Sequence, residues 1–433
     1  MGPSRRYLSP YEEFYRKRGE NHKHRGFYIQ ATFRSQLTLE RVWLALHRTL
    51  TTYPILASNL AKDDEGKYYY QPLKISLKDI LEILEPDEWL ENGVVSELFM
   101  KRTNQHHWSI YDGTPLMRLV LLGDHVLVGM FEHTIVDGMA GRYFFEYFAS
   151  QLSSAPKNSF VTPDSIVFDP ANPHGTFPPP IDEIVPYPKP GDAMTTQREC
   201  PSDGEKWDGR LLAEYPYSLA FKHIHLSAEE LSEVLARCRK EKVSLTVFVE
   251  AVIAIVLSKL SGNKYQSHCA AMSMRHFMPE EFQEPYIISV QASLGIREWY
   301  RGSDGFSWDR VRSAHQNLRS DAKNPLLMQC MQGWVDFYTT DKDADPFFDS
   351  ILGKPKADTV KISNLGYVES SEITDMVFFQ DVMAGSADFM INVVSTSTGG
   401  LNFVWTYCDH KNKEEVEPLV ATFKDQLLHY VRV

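Results

Sequence analysis

Apolar positions along the chain fall into two periods. Leu39, Val42, Trp43, Leu46 and Leu50 recur at helical spacing, so Thr38–Thr51 is predicted to be a helix with one buried face that stops before Tyr53-Pro54. Phe27–Phe33 alternates and is rich in aromatic and β-branched residues, as a strand is. Leu116–Leu122 and His125–Phe131 are apolar on both faces, which places them mid-sheet. Gly123-Asp124 between them reads as a two-residue hairpin turn. An amphipathic helix, Met139–Leu152, follows, with Tyr143, Phe144, Tyr147 and Phe148 on one side. Ser9-Pro10-Tyr11-Glu12 and Ser227-Ala228-Glu229-Glu230 are capping boxes that open helices to about Arg18 and Cys238. Ile55–Leu60 and Lys67–Pro72 read as short strands.

The texture changes between Ser153 and Trp207. Eleven prolines fall there, with few periodic apolar residues, and this is the expected boundary. The division predicted is residues 1–175, a crossover over 176–206, and 207–433. In the second half, Ala220–Leu226 reads as a strand and Leu245–Leu260 as a helix buried on most sides. Ala270–Met274 and Tyr286–Leu294 read as strands, and Trp308–Ala322 as a helix. Phe389–Ser395 and Leu401–Tyr407 form a predicted hairpin, and Lys413–Leu428 a last helix. The mixture of helices and hairpins in both halves makes the class α/β.

At 433 residues the chain exceeds one growing core, which agrees with two units. A formal net charge of −12 argues against nucleic acid or an anionic membrane as the main partner. The five scattered cysteines form no CxxC pair, so reduced thiols in a cytoplasmic protein are expected. No apolar run reaches the length of a membrane span, and peripheral membrane contact stays open. The start lacks a secretory apolar region, and Arg6 stands where a myristoylation motif wants Ser or Thr.

The candidate chemistry lies at Glu132-His133-Thr134-Ile135-Val136-Asp137-Gly138, where an apolar strand meets a helix. His133 is either a core histidine satisfied by backbone or a proton carrier aimed into a cleft. Asp137 either orients the imidazole or pairs with an arginine and holds the turn. Gly138 supplies a geometry or a close approach that a side chain would forbid. His133 and Asp137 could both ligate a metal, but no partner cluster has ligand spacing, so no metal is expected. His22, His24, His106 and His107 read as solvated or turn residues.

This stretch resembles the HxxxDG motif of the chloramphenicol acetyltransferase-like, CoA-dependent acyltransferases. Leu8-Ser9-Pro10-Tyr11-Glu12, the helix-strand unit over 37–60, Val243-Ser244-Leu245-Thr246, Met272-Ser273-Met274-Arg275 and Ile362-Ser363-Asn364-Leu365-Gly366 resemble the fungal alcohol O-acetyltransferase branch. Condensation domains usually carry a second histidine where Glu132 stands, and the DFGWG motif of the plant enzymes is absent. The resemblance implies two similar subdomains, each a mixed sheet with flanking helices, and an active-site channel between them. It implies acetyl transfer from acetyl-CoA, a co-substrate and not a bound cofactor, to the hydroxyl of a small or lipophilic alcohol, with an amine as the alternative acceptor. A non-catalytic interaction protein on the same fold is the rival of another class. His133, Asp137 and Gly138 would form the catalytic motif, with His133 as general base and no acyl-enzyme. Asp137 would reach Arg275, the positional match for the family's arginine. Ser363 and Asn364 are candidates for the oxyanion or substrate. Ser273, Arg275 and Lys361 are candidates for CoA, whose phosphates favour Lys and Arg. A monomer is expected.

Overall fold

The computed structural model describes residues 5–20, 24–152, 160–172, 175–184, 198–210, 217–283, 288–289, 295–323, 352–382, 386–409 and 413–433. Two mixed sheets carry the chain. In the first half the main elements are α1 (Pro10–Glu20), β1 (Phe27–Phe33), α2 (Leu39–Thr52), β2 (Leu81–Leu84), α3 (Glu97–Asn104), β3 (Met117–Leu122), β4 (Val126–Phe131) and α4 (Gly138–Gln151). The second half supplies β5 (Leu219–Leu226), α5 (Ala228–Glu241), α6 (Leu245–Val256), β6 (Gln266–Ala270), β7 (Ile296–Tyr300) and α7 (Trp308–Ala322). It continues with β8 (Asp358–Val368), β9 (Ile373–Gln380), β10 (Ala387–Thr396), β11 (Gly400–Cys408), α8 (Lys413–Ala421) and α9 (Phe423–Arg432).

The caps behave as their side chains dictate. Thr38 accepts a hydrogen bond from the Arg41 N–H at the start of α2. Ser227 and Glu230 bond reciprocally across the first turn of α5. β3 and β4 pair mid-sheet, with Leu122 opposite Val126, so the connection is three residues long and not two. Gly123 takes φ +63° there, a conformation a side chain would strain.

The five-stranded sheet runs β9-β1-β4-β3-β2, and the six-stranded sheet β5-β11-β10-β8-β6-β7. β9 comes from the second half yet pairs antiparallel with β1 in the first sheet, from Phe27 opposite Gln380 to Phe33 opposite Ile373. It also packs against β10 and β11. Side chains join the sheets at that seam. Gln380 Nε2 donates to Asn392 Oδ1 at 2.6 Å, and Asn402 Nδ2 donates to Asp375 Oδ1 at 2.7 Å.

Some boundaries differ from those expected. Pro54–Ala57 is a turn of 3₁₀ helix, because Pro54 presets φ, and the strand begins only at Ser58. The strand expected over Ala270–Met274 ends at Ala270, and Arg275–Phe277 is 3₁₀. Ser363–Gly366 is a bulged part of β8 in place of a simple turn, with Gly366 at φ +77°. Ahead of the crossover, Ile166–Phe168 pairs with Ile75–Ser76, and within it Ile181–Ile184 forms one short helical turn. The strand expected over Tyr286–Leu294 lies outside the described residues, apart from the bend at 288–289.

Candidate active site

β4 ends at Phe131, and the next residues are pinned from several sides. The Glu132 carboxylate accepts from the Thr134 N–H, and the Tyr70 hydroxyl donates to the Thr134 carbonyl at 2.6 Å. Ile135 and Val136 are buried in the first core. Asp137 then caps α4, its Oδ1 accepting from the Ala140 N–H at 2.8 Å. His133, between these anchors, is held by ring contacts. Its centroid lies 5.0 Å from Tyr15, the two rings stacked nearly parallel, 4.8 Å from Phe27 and 5.2 Å from His24.

The two residues of the motif face different partners. Both Asp137 oxygens receive the Arg275 guanidinium, Nη1 to Oδ2 at 2.9 Å and Nη2 to Oδ1 at 3.0 Å. Arg275 also donates to Ser273 Oγ at 3.2 Å and to the Ser289 carbonyl at 3.0 Å. Asp137 is 1% exposed, so this is a buried, bidentate pair joining the halves. No hydrogen bond runs from His133 to Asp137, and His133 Nδ1 is buried without a well-formed partner. Gly138 lets the helix start pass close to β8. A Cβ there would stand 3.1 Å from Leu365 Cδ2. Arg142 adds a second tie, donating to the Leu365 carbonyl at 2.7 Å.

A cavity of about 130 Å³ opens in front of the imidazole. Its walls come from both halves: Tyr15, Arg18 and His24 with His133 on one side, and Cys269, Lys361, Ser363 and Gln380 among those opposite. Burial pushes His133 well below the ordinary histidine range, and the Arg18 charge pushes the same way. The Val136 backbone and Gln380 side chain oppose this without reversing it. The ring is therefore neutral near pH 7. Burial raises the Cys269 thiol to about 12, so it stays protonated and a poor nucleophile. Burial also raises Asp381 to about 7.

The expected site residues separate by position. Ser363 and Lys361 line the cavity with His133 and Gly138. Asn364 bonds Thr246 at 3.2 Å and the Gly366 N–H at 2.8 Å. Arg275 and Ser273 lie together around Asp137. His24, read as a solvated or turn residue, is 5% exposed. Its Nδ1 accepts from the Gly26 N–H at 3.1 Å, which leaves Nε2 to carry the proton, and its ring packs on His133. Sequence reasoning also passed over Tyr15, Arg18 and Gln380. The capping box placed the first two on a helix, but no local pattern aims that helix at a histidine far along the chain. Among the described residues no group of three or more His, Cys, Asp or Glu is arranged to hold a metal.

The alcohol acetyltransferase family profile matches residues 10–427. The chain belongs to the alcohol acetyltransferase family. An uncharacterized relative in this comparison, protein C18B11.03c of Schizosaccharomyces pombe, is 28% identical over 217 residues, 48% of this chain. The match spans less than half, 43%, of that relative's length. Among solved structures, this family member is similar to the TRI3 trichothecene 15-O-acetyltransferase of Fusarium sporotrichioides. That likeness has a TM-score of 0.67 at 15% identity, over 98% of this chain and 95% of that one. The condensation domain of the Monacolin K polyketide synthase MokA is similar at TM-score 0.59 and 11% identity, over 99% and 97%. At such identities the likeness shows the fold: two subdomains of mixed α/β structure. No described helix is long and apolar enough to cross a membrane.

Proposed function

We propose that the protein transfers an acetyl group from acetyl-CoA to the hydroxyl of a small alcohol at His133. The observation that carries this reading is a neutral, partly accessible imidazole in a cavity walled by both halves. Residues 1–175 and 207–433 act as the two subdomains, joined by 176–206, and the reactants meet between them.

His133 takes the hydroxyl proton as the oxygen attacks the thioester carbonyl. The tetrahedral intermediate carries its charge on the former carbonyl oxygen, where the Ser363 hydroxyl and the His24 Nε2–H are the donors at hand. Collapse expels the CoA thiolate, which takes the proton back from the imidazolium. The acceptor oxygen keeps the acetyl group and CoA leaves as the thiol, so no acyl-enzyme forms. The high thiol pKa of Cys269 fits a direct transfer. Asp137 works through the Arg275 pair, holding the turn that presents His133. CoA enters as a co-substrate and leaves each cycle.

The test is thiol release from acetyl-CoA with a panel of alcohols and amines, with products read by mass spectrometry. His133→Ala is expected to lower kcat/KM by about 10²–10⁴-fold. An unchanged rate in that variant would remove His133 from the chemistry. A wild-type chain that acetylates no acceptor would remove the transferase reading itself.

A further inference from the structure

The reaction just described leaves two cavity cations unused. Arg18 lies near the end of α1, and its Nη2 is buried without a hydrogen-bond partner. Its guanidinium carbon lies 4.6 Å from the Tyr15 centroid, and Tyr15 in turn stacks on His133. Lys361 reaches the same cavity from β8 in the other half, and its ammonium makes no ion pair or hydrogen bond among the described residues. A guanidinium nitrogen buried without a partner is costly, so Arg18, with the half-buried Lys361 lining the same cavity, calls for an anion.

Among the described residues no carboxylate fills that role. Glu132 and Asp381 feel the Arg18 charge, but neither comes within ion-pair distance of it. The Glu132 carboxylate is turned to the Thr134 N–H. Asp381 Oδ2 accepts from the Arg25 N–H at 3.3 Å, and its Oδ1 has no partner. Burial raises both acids, Asp381 to about 7, so they offset the two cations only in part. The phosphates of CoA are also poorly placed. With the thioester at His133, the pantetheine arm carries them well away from the imidazole.

On the transferase reading above, we infer that the acceptor is a short hydroxy acid, its carboxylate held between Arg18 and Lys361 while its hydroxyl meets His133. The planar guanidinium matches a carboxylate in two parallel bonds, and lysine adds a point charge. The volume agrees. About 130 Å³ is small beside the roughly 300–1,000 Å³ of pockets that enclose drug-sized ligands. Burial is the main cause of the low His133 pKa and the Arg18 charge adds to it; a bound carboxylate offsets that second part.

The experiment uses the full chain, acetyl-CoA and ω-hydroxy acids from glycolate to 6-hydroxyhexanoate. Their methyl esters and the matching hydroxyalkyl phosphates run in parallel. Acetyl-ester formation gives kcat/KM, and calorimetry gives acceptor binding without turnover. For at least one chain length the acid is expected to exceed its ester tenfold or more in kcat/KM. Arg18→Gln and Lys361→Gln should each shrink that ratio about tenfold, through KM, and weaken binding of the acid to match. Because the ratio is taken within one preparation, loss of folded protein cancels. A ratio near one in wild type, or a ratio that neither variant moves, overturns the inference. Acids that bind and lose binding in the variants, with no acetyl transfer to anything, uphold the anion site and sink the transferase reading. Equal transfer to acids and esters does the reverse. A preference for the phosphates over the acids overturns the carboxylate as the occupant.

Discussion

His133 and His268 share an unusual description. Each has an Nδ1 buried without a hydrogen-bond partner, and burial pushes each below the ordinary histidine range, His268 to about 3. Each has an acid nearby that burial raises: Asp381 to about 7 in the cavity wall, and Glu250 to about 8 beyond Tyr300. Their surroundings differ. His268 is 0% exposed on β6, with Nε2 3.2 Å from Gln266 Oε1 and its ring 4.8 Å from Tyr300. Tyr300 closes the chain by donating to Glu250 Oε2 at 3.0 Å. His133 looks into a cavity that both halves wall. An orphaned ring nitrogen and a low pKa are therefore marks of burial. On the proposed reading, what sets the reactive histidine apart from the structural one is access and the groups gathered opposite it.

The sharpest way to break this comparison is to exchange activity for stability at the two sites. His133→Ala is expected to lose about 10²–10⁴-fold in kcat/KM while folding free energy changes by no more than about 1–2 kcal/mol. His268→Ala should cost about 2–4 kcal/mol in urea unfolding and leave turnover per folded molecule near wild type. A catalytic collapse at His268 without loss of stability would erase the distinction.

Next in size is the pair that holds the His133 turn. Asp137→Asn leaves Arg275 buried without its counter-charge and should cost about 3 kcal/mol, lowering soluble yield along with activity. The double change Asp137→Leu with Arg275→Met should recover part of that stability. Turnover abolished at unchanged stability would instead give Asp137 an orienting role.

The smallest effect is one of pH. Glu250 has a folded pKa of about 8, above its unfolded value, so its stabilising contribution is full in acid, is lost progressively as pH rises toward 8, and changes little above that. Glu250→Gln removes that loss. The variant's stability relative to wild type should climb by at least about 1 kcal/mol between pH 5 and 8, read from unfolding midpoints across that range. The His133 site has the opposite sign. Its pKa is lowered, so the neutral base persists as pH falls below 6.5, and the acid limb of kcat/KM should begin well below that value.

The local grammar of the chain carried much of this architecture. The paired apolar runs before Phe131 read as inner strands, and the helix expected from Met139 begins one residue earlier, at Gly138, with Asp137 as its cap. The motif also suggested Arg275 as the Asp137 partner through family resemblance, a contact across 138 residues that periodicity alone cannot express. What stayed hidden depends on pairing at a distance. Ile373–Gln380 has no feature that assigns it to one sheet over the other, yet it lies beside β1. His24 sits in a polar, basic stretch, and only the approach of His133 and the Gly26 N–H makes it an interior residue. Arg18 reads as an ordinary helix-end cation until the cavity around it is seen.

The placement of β9 also has a consequence for synthesis. β1 gains its second neighbour only after the ribosome has read through Gln380. Until then a nascent chain carries β1 with one edge open, and that edge is lined by buried aromatic residues such as Phe27, Tyr28 and Phe33. An open, apolar strand edge is a template for pairing with other chains, and such late-closing contacts fold slowly. Cutting this gene at the midpoint would therefore yield a first fragment prone to self-association, which adding residues 373–380 in trans should suppress.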